Sequence, residues 1–253
     1  MAHDVSYYRL GRVVEHDPRS RAFALPESDL SALQTQDWTR HAPVFQQGDI
    51  GSCTGQAALG AVGTGSIYDA LHSVGKVPSL TQEHAVSIYS RATQLDAFPG
   101  EYPPDDTGSS GLAVAKVLRE RGYIKSYRHA FSFNAAVTAL QSSPVITGVN
   151  WYSSFYRPNL NGECVITSRA VVDGGHEVVV DAIDVENKRV RFTNSWGQGW
   201  GRHGCAWFSF ETWQRLLSEE GDVTSFVPLV EAEPVPKPEA SGCLLSLLRL
   251  RLS

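Results

Sequence analysis

The run Gly51 to Leu71, GSCTGQAALGAVGTGSIYDAL, constrains this chain more than any other segment. Ala57, Ala61, Thr64 and Tyr68 recur at three- and four-residue spacing, which predicts one buried helix. Gly60, Gly63 and Gly65 would each weaken an isolated helix by about 1 kcal/mol relative to alanine. Their presence makes sense if another element packs very close to that helix's backbone. A loop with glycine turns is the plainer alternative.

Two further helices are expected, Leu80 to Leu95 and Ser110 to Arg121, separated by the breaker-rich loop DAFPGEYPPDDTGSSG. After Tyr123 the character changes to short β-branched runs, PVITGVNW, CVITSRAVV, HEVVVDAIDV, KRVRFTNSW and CAWFSF, bounded by Gly, Asn and Asp. Helices first and strands second make an α+β chain: a helical lobe over about 47–125, an antiparallel β lobe over about 126–230, and a cleft between them. Residues 1–42 are weakly periodic, with breakers at Leu25-Pro26 and Ala42-Pro43, and read as an N-terminal arm. Residues 231–253 open on EAEPVPKPEASG, a linker composition, and end in CLLSLLRLRLS, too short to span a bilayer and read as an incidental tail.

Composition narrows the function classes. With 253 residues, 42% hydrophobic, 19% charged and a net charge of -5, the chain has material for a full core and lacks the broad basic surface nucleic acid requires. The first residues are charged throughout, with no apolar run for a signal peptide or membrane span, so a cytoplasmic location is expected; a monomer is expected as well. Four cysteines with no CxxC pairing signal neither a zinc site nor a disulfide scaffold, leaving a Cys164–Cys205 bridge as the minor alternative. There is no HExxH, P-loop or dinucleotide fingerprint; GAVGTG has the wrong spacing and lies in the Cys53 helix, so no metal or organic cofactor is implied.

Cys53 falls at the start of the glycine-rich helix, where unpaired amides and the dipole favour a thiolate, with Gly51-Ser52 supplying a turn and an N-cap. A buried structural cysteine is the plainer reading of such a residue alone. Its company changes that. GGHEV places His176 at the head of a strand, and in RVRFTNSW the strand expected to pair with it ends in Asn194. In that hairpin the Asn194 carbonyl fixes one ring nitrogen and leaves the other for Cys53, a Cys-His-Asn arrangement for nucleophilic catalysis. Trp196 is placed to shield the Asn-His hydrogen bond from water.

Together QQGDIGSCTG, GGHEV and NSWGQGWG resemble the three signature blocks of the papain family of cysteine peptidases, in the family's order, over roughly Leu25 to Val227. His176 lies 123 residues and Asn194 141 residues after Cys53, close to the family separation of about 130–150. The resemblance implies a papain-like two-lobed fold and a cysteine endopeptidase acting on peptide or protein substrates. It assigns Cys53 as nucleophile, His176 as base and acid, Asn194 as orienting residue and Gln47 as oxyanion-hole donor. It further implies a Cys53–His176 ion pair at neutral pH, backbone contacts to substrate from Gly108 and Ser109, and a main specificity pocket near Gly148 and Glu177, with Trp196 nearby. Glu177 would favour a basic side chain two residues before the scissile bond, unless it is simply a solvent-facing carboxylate.

The sequence departs from the family signature at two positions: Ile50 stands where a disulfide cysteine is usual and Thr54 where an aromatic is usual. No long propeptide is recognisable, as in the shorter prokaryotic or phage-type branch. Residues 1–24 either lie in the cleft as a short inhibitory arm or brace the sheet lobe, and bracing is the expectation. The rival functions are a non-catalytic module on the same fold and an acyl transferase with the same triad.

Overall fold

The computed structural model of the chain describes residues 8–13, 17–25 and 33–230. The C-terminal segment 231–253, with its expected linker and tail, lies outside the described residues.

The predicted helix over 51–71 is two helices, α1 (Cys53–Val62) and α2 (Gly65–Ser73). The break has a physical cause. The Thr64 hydroxyl donates to the Gly60 carbonyl at 2.7 Å, and Gly65 takes φ +51 with its Cα against the Trp38 ring, a position no side chain tolerates. The close approach expected at the other glycines is present. A Cβ on Gly60 would press on Val179, and one on Gly63 would overlap the Ala42 side chain; Gly55, outside that expectation, lies as close to the Ala85 carbonyl. Small residues let α1 sit between α3 (Gln82–Thr93) on one side and the sheet on the other, and every residue of α1 is buried. With α4 (Gly111–Glu120), these helices form one core with Leu59, Ile88, Leu112 and Leu118 at its centre.

The second core belongs to an antiparallel sheet of seven strands: β1 (Gln36–Asp37), β2 (Ser126–Ala130), β3 (Val145–Tyr152), β4 (Val172–Asp184), β5 (Arg189–Thr193), β6 (Cys205–Ser209) and β7 (Asp222–Val227). The strand order is β2-β7-β3-β4-β5-β6, with β1 on β4. The central strand β4 is nearly continuous Val, Ala and Ile because it is covered on both faces, by α1 on one and by Trp151, Phe192, Phe208 and Trp213 on the other.

Two elements of the β lobe are helices without a sequence-level expectation, α5 (Phe133–Ser142) and α6 (Phe210–Ser218). CVITSRAVV is not a strand: apart from Val172 it is loop, fastened by a bond from Cys164 N to Trp207 O at 2.9 Å. Cys164 and Cys205 are both free thiols, so the bridge between them is absent. No described helix is long and apolar enough to cross a membrane.

The arm divides its work. Residues Pro18–Phe23 form a 3-10 helix whose end braces β2, with Leu25 N donating to His129 O at 2.7 Å. Leu10 to Val13 instead pass between the lobes. Arg12 N donates to Gly175 O at 3.1 Å, Ser109 N donates to Gly11 O at 2.9 Å, and Val13 N donates to Ser109 O at 3.1 Å. Bracing therefore describes only part of the described arm, and Gly11 to Val13 occupy the cleft.

Candidate active site

Cys53 is the first residue of α1, preceded by a tight turn in which Ser52 N donates to Ile50 O at 2.8 Å. Ser52 occupies the N-cap position but its side chain caps nothing; its hydroxyl accepts from Gln56 Nε2 at 3.1 Å. First-turn amides therefore remain available. The backbone N–H groups of Glu177, Gly11 and Thr54 reach the sulfur and favour the thiolate. Complete burial outweighs them and pushes the thiol up to about 12.

His176 sits on β4 opposite Val149 of β3, and Asn194 follows the last residue of β5. Asn194 Oδ1 lies 2.7 Å from His176 Nε2 and accepts the Ser195 N–H at 2.7 Å. An atom that accepts from a backbone amide is the amide's oxygen, so Nε2 must carry the ring proton. Nδ1 is then the basic nitrogen. It is buried and has no hydrogen-bond partner in this state. Burial brings the imidazole down to about 4, with the Asn194 hydrogen bond opposing. The dry cleft around Cys53 and His176 thus opposes the ion pair expected for them, raising the thiol and lowering the imidazole.

Aromatic rings account for that dryness. Trp196 stacks on the imidazole at 4.7 Å between centroids, and Trp151 meets it edge-on at 4.7 Å. Trp196 is covered in turn by Tyr8 at 4.6 Å and donates its indole N–H to Arg9 O at 3.1 Å, so it shields the Asn-His bond and presents no open surface.

Gln47 is buried beside this group. Its Nε2 donates to Ile50 O at 2.9 Å, its Oε1 accepts the Ser195 hydroxyl at 2.6 Å, and its N–H donates to Ser195 O at 2.8 Å. The side chain is therefore locked to both the nucleophile turn and the Asn194 segment. Gly108 and Ser109 flank the arm, as expected of a strip that holds an extended peptide, and Gly108 takes φ +75 with its Cα against Gly11. Gly148 and Glu177 both lie at the Arg12 side chain. Glu177 is not solvent-facing: it is 1% exposed, and burial first and the neighbouring Asp222 second hold its carboxyl well above the usual range, with Arg12 opposing.

Every candidate residue from the sequence thus lies in or beside one cleft. Sequence reasoning missed Arg12, Asp222, Asp106, Tyr89 and Ser195. Ser195 was within reach, being adjacent to Asn194; the others are brought there by elements remote in sequence and carry no local pattern.

No family model and no curated protein matches this sequence. Solved structures do match its backbone. Xylellain, a cysteine protease from Xylella fastidiosa, is 18% identical over 88% of this chain and 97% of its own, with a TM-score of 0.66. The proform of Amb a 11, a cysteine protease and ragweed pollen allergen, is 17% identical over 92% of this chain and 72% of its own, with a TM-score of 0.59. Digestive procathepsin L 3 of Tenebrio molitor larval midgut is 15% identical over 88% and 77%, with a TM-score of 0.58. With the helical lobe, the antiparallel sheet and the Cys-His-Asn cleft between them, these likenesses make the fold of this chain that of the papain-like cysteine proteases.

Proposed function

We propose that this protein is a cysteine peptidase that hydrolyses peptide bonds through a thioester on Cys53. The observation that carries the reading is the pairing of His176: its Nε2 proton is committed to Asn194, which leaves Nδ1 as the basic ring nitrogen, while the N–H of the next residue, Glu177, reaches the Cys53 sulfur.

In the proposed cycle His176 Nδ1 takes the thiol proton, and the sulfur attacks the substrate carbonyl. The resulting oxyanion is stabilised by the Cys53 N–H and the Gln47 side-chain amide, and the imidazolium gives its proton to the leaving amine as the C–N bond breaks. Water then attacks the thioester, with His176 accepting its proton, and the acid product leaves as the thiol is restored. The chemistry uses no metal or organic cofactor. Ser109 binds the substrate main chain, as it now binds the arm, and Gly108 leaves room for that chain to pass close by. With Gly11 against the nucleophile turn, this is a latent state, and turnover begins when residues 8–13 leave the cleft.

The reading is tested by intact-mass spectrometry after treatment with an epoxide inhibitor of papain-type enzymes, on the wild type, Cys53→Ala and His176→Ala. One adduct on the wild type, absent from Cys53→Ala and much slower in His176→Ala, is expected. If neither the folded wild type nor a folded Gly11→Ala variant forms an adduct, a non-catalytic module on this fold is favoured.

A further inference from the structure

A small cavity lies where α1 meets β4 and the end of β5, lined by Arg40, Gln56, Glu177, Val179, Thr193 and Asn194 among others. Its volume of about 10 Å³ gives room for one water-sized occupant. The polar groups around it are not satisfied by the protein. Gln56 Oε1, Asn194 Nδ2, and Arg40 Nε and Nη1 are buried without a hydrogen-bond partner among the described residues, and so are both carboxyl oxygens of Glu177. Gln56 and Asn194 are themselves only 1% and 2% exposed.

Three of these side chains are fixed at their other ends. Gln56 Nε2 donates to Ser52 Oγ at 3.1 Å, and Arg40 Nη2 donates to Pro43 O at 2.9 Å. Asn194 Oδ1 serves His176 Nε2 and the Ser195 N–H, so its Nδ2 is the end left over.

The lining selects its occupant by chemistry. Arg40 and Asn194 offer N–H groups, whereas Gln56 offers a carbonyl oxygen and Glu177 a carboxyl. A halide would be repelled by those oxygens, and the Asp181 carboxylate already opposes the charge of Arg40. A metal cation would meet the guanidinium. Water, with two lone pairs and two protons, serves donors and acceptors together.

Such a water has a consequence for the site. Gln56 lies three positions after Cys53 on α1, and its amide is tied to Ser52, the residue before the nucleophile. Asn194 belongs to the other lobe. An amide held at its oxygen alone still swings about that bond, and a second tether at Nδ2 restrains it.

We infer that this cavity binds one ordered water, and that through it Gln56 is a positioning residue for Asn194. The water accepts from Asn194 Nδ2 and donates to Gln56 Oε1, joining the helix that carries the nucleophile to the amide that orients the base. The effect on Cys53 reactivity rests on the peptidase reading; the water site does not.

Three readouts on the full-length protein test this. In crystals, one ordered water is expected within hydrogen-bond distance of Gln56 Oε1 and Asn194 Nδ2, with no anomalous signal there after a bromide soak. A bromide peak, or a cavity without density, overturns the inference. In Cys53 alkylation by an epoxide, Gln56→Leu is expected to slow the reaction about tenfold, the scale of one hydrogen bond, and Gln56→Glu, which keeps an acceptor oxygen, to restore most of the rate. Added to Asn194→Ala, Gln56→Leu is expected to have no further effect; an equal further loss there marks a merely structural role and overturns the positioning. Exchange of the His176 Nε2–H proton with solvent, followed by NMR, needs no reaction. It is expected to quicken in Gln56→Leu, and an unchanged rate overturns the positioning. If no variant is alkylated, wild type and Gly11→Ala included, the peptidase reading falls while the crystal and the exchange rate still decide the water bridge. Should Gln56→Leu fail to fold, Gln56→Met carries the same readouts.

Discussion

Both carboxylate oxygens of Asp106 accept the backbone N–H of Gly51, at 2.8 and 3.1 Å, so a loop between two helices holds the turn that presents the nucleophile. The same carboxylate accepts the Tyr89 hydroxyl at 2.7 Å, and that hydroxyl accepts from Gly108 N at 3.0 Å. One polar chain thus joins the nucleophile turn to the strip that grips the arm. Asp106→Ala leaves the Gly51 amide without this partner and is expected to cost about 1–3 kcal/mol of stability, read as a lower urea midpoint. Tyr89→Phe, which removes one link and keeps the ring, is expected to cost less.

Asn194→Ala frees the ring of His176 to rotate or change tautomer while leaving Cys53 and its helix in place. The rate of Cys53 alkylation by a substrate-like epoxide is expected to fall about a hundredfold, the scale of a catalytic group displaced by about 1 Å. Alkylation of the denatured protein by iodoacetamide, which needs no histidine, is expected to be the same in both.

The buried imidazole gives a signed pH dependence. Its folded pKa of about 4 lies below the ordinary histidine value of 6.5, so between those limits the unfolded chain binds more protons than the folded one. Stability associated with His176 is therefore fully present above about pH 6.5 and is lost as pH falls towards 4, by up to about 3 kcal/mol. Denaturant midpoints of wild type and His176→Gln across that window check this: the wild-type slope is expected to be steeper. At the alkaline end the raised Cys53 thiol has the opposite sign, with stability lost above pH 9, and Cys53→Ser removes that decline.

Gly11→Ala tests the latch. A Cβ at Gly11 would overlap the Gly51 carbonyl, which disfavours the closed arm by about 1–3 kcal/mol or more. The open population then rises roughly 5- to 150-fold, and Cys53 labelling in the full-length variant is expected to accelerate by the same factor. A rate equal to that of wild type would mean that the arm does not control access.

The parts of this site that were legible in the sequence are those whose chemistry demands a residue type at a defined local setting. Cys53 opens a helix, His176 follows two glycines, and Asn194 comes directly after a strand, and each setting is visible within a few residues. Elements decided by tertiary contact were not legible. The break between α1 and α2 depends on Trp38, which lies 27 positions before Gly65. SYRHA and DVTSFV are short and mixed in polarity, and they are strands because β2 and β7 pair with each other and β7 with β3. CVITSRAVV has strand composition but is mostly loop, fastened to the β6 edge by the Cys164 backbone bond. Arg12 meets Asp222 across 210 positions, and no local pattern announces such a meeting.

The glycine-to-glycine passage of the arm over the nucleophile turn also sets how the protein would respond to its surroundings. An occupant carried on the same chain competes at a fixed effective concentration, which neither dilution nor abundance of the protein alters. A peptide entering the cleft binds only during the fraction of time the arm is away, and its apparent affinity is weakened in proportion. On the proposed latch, restraint scales with the opening equilibrium, so temperature, denaturant or a partner that captures the arm would each act as a gain control on the same cleft.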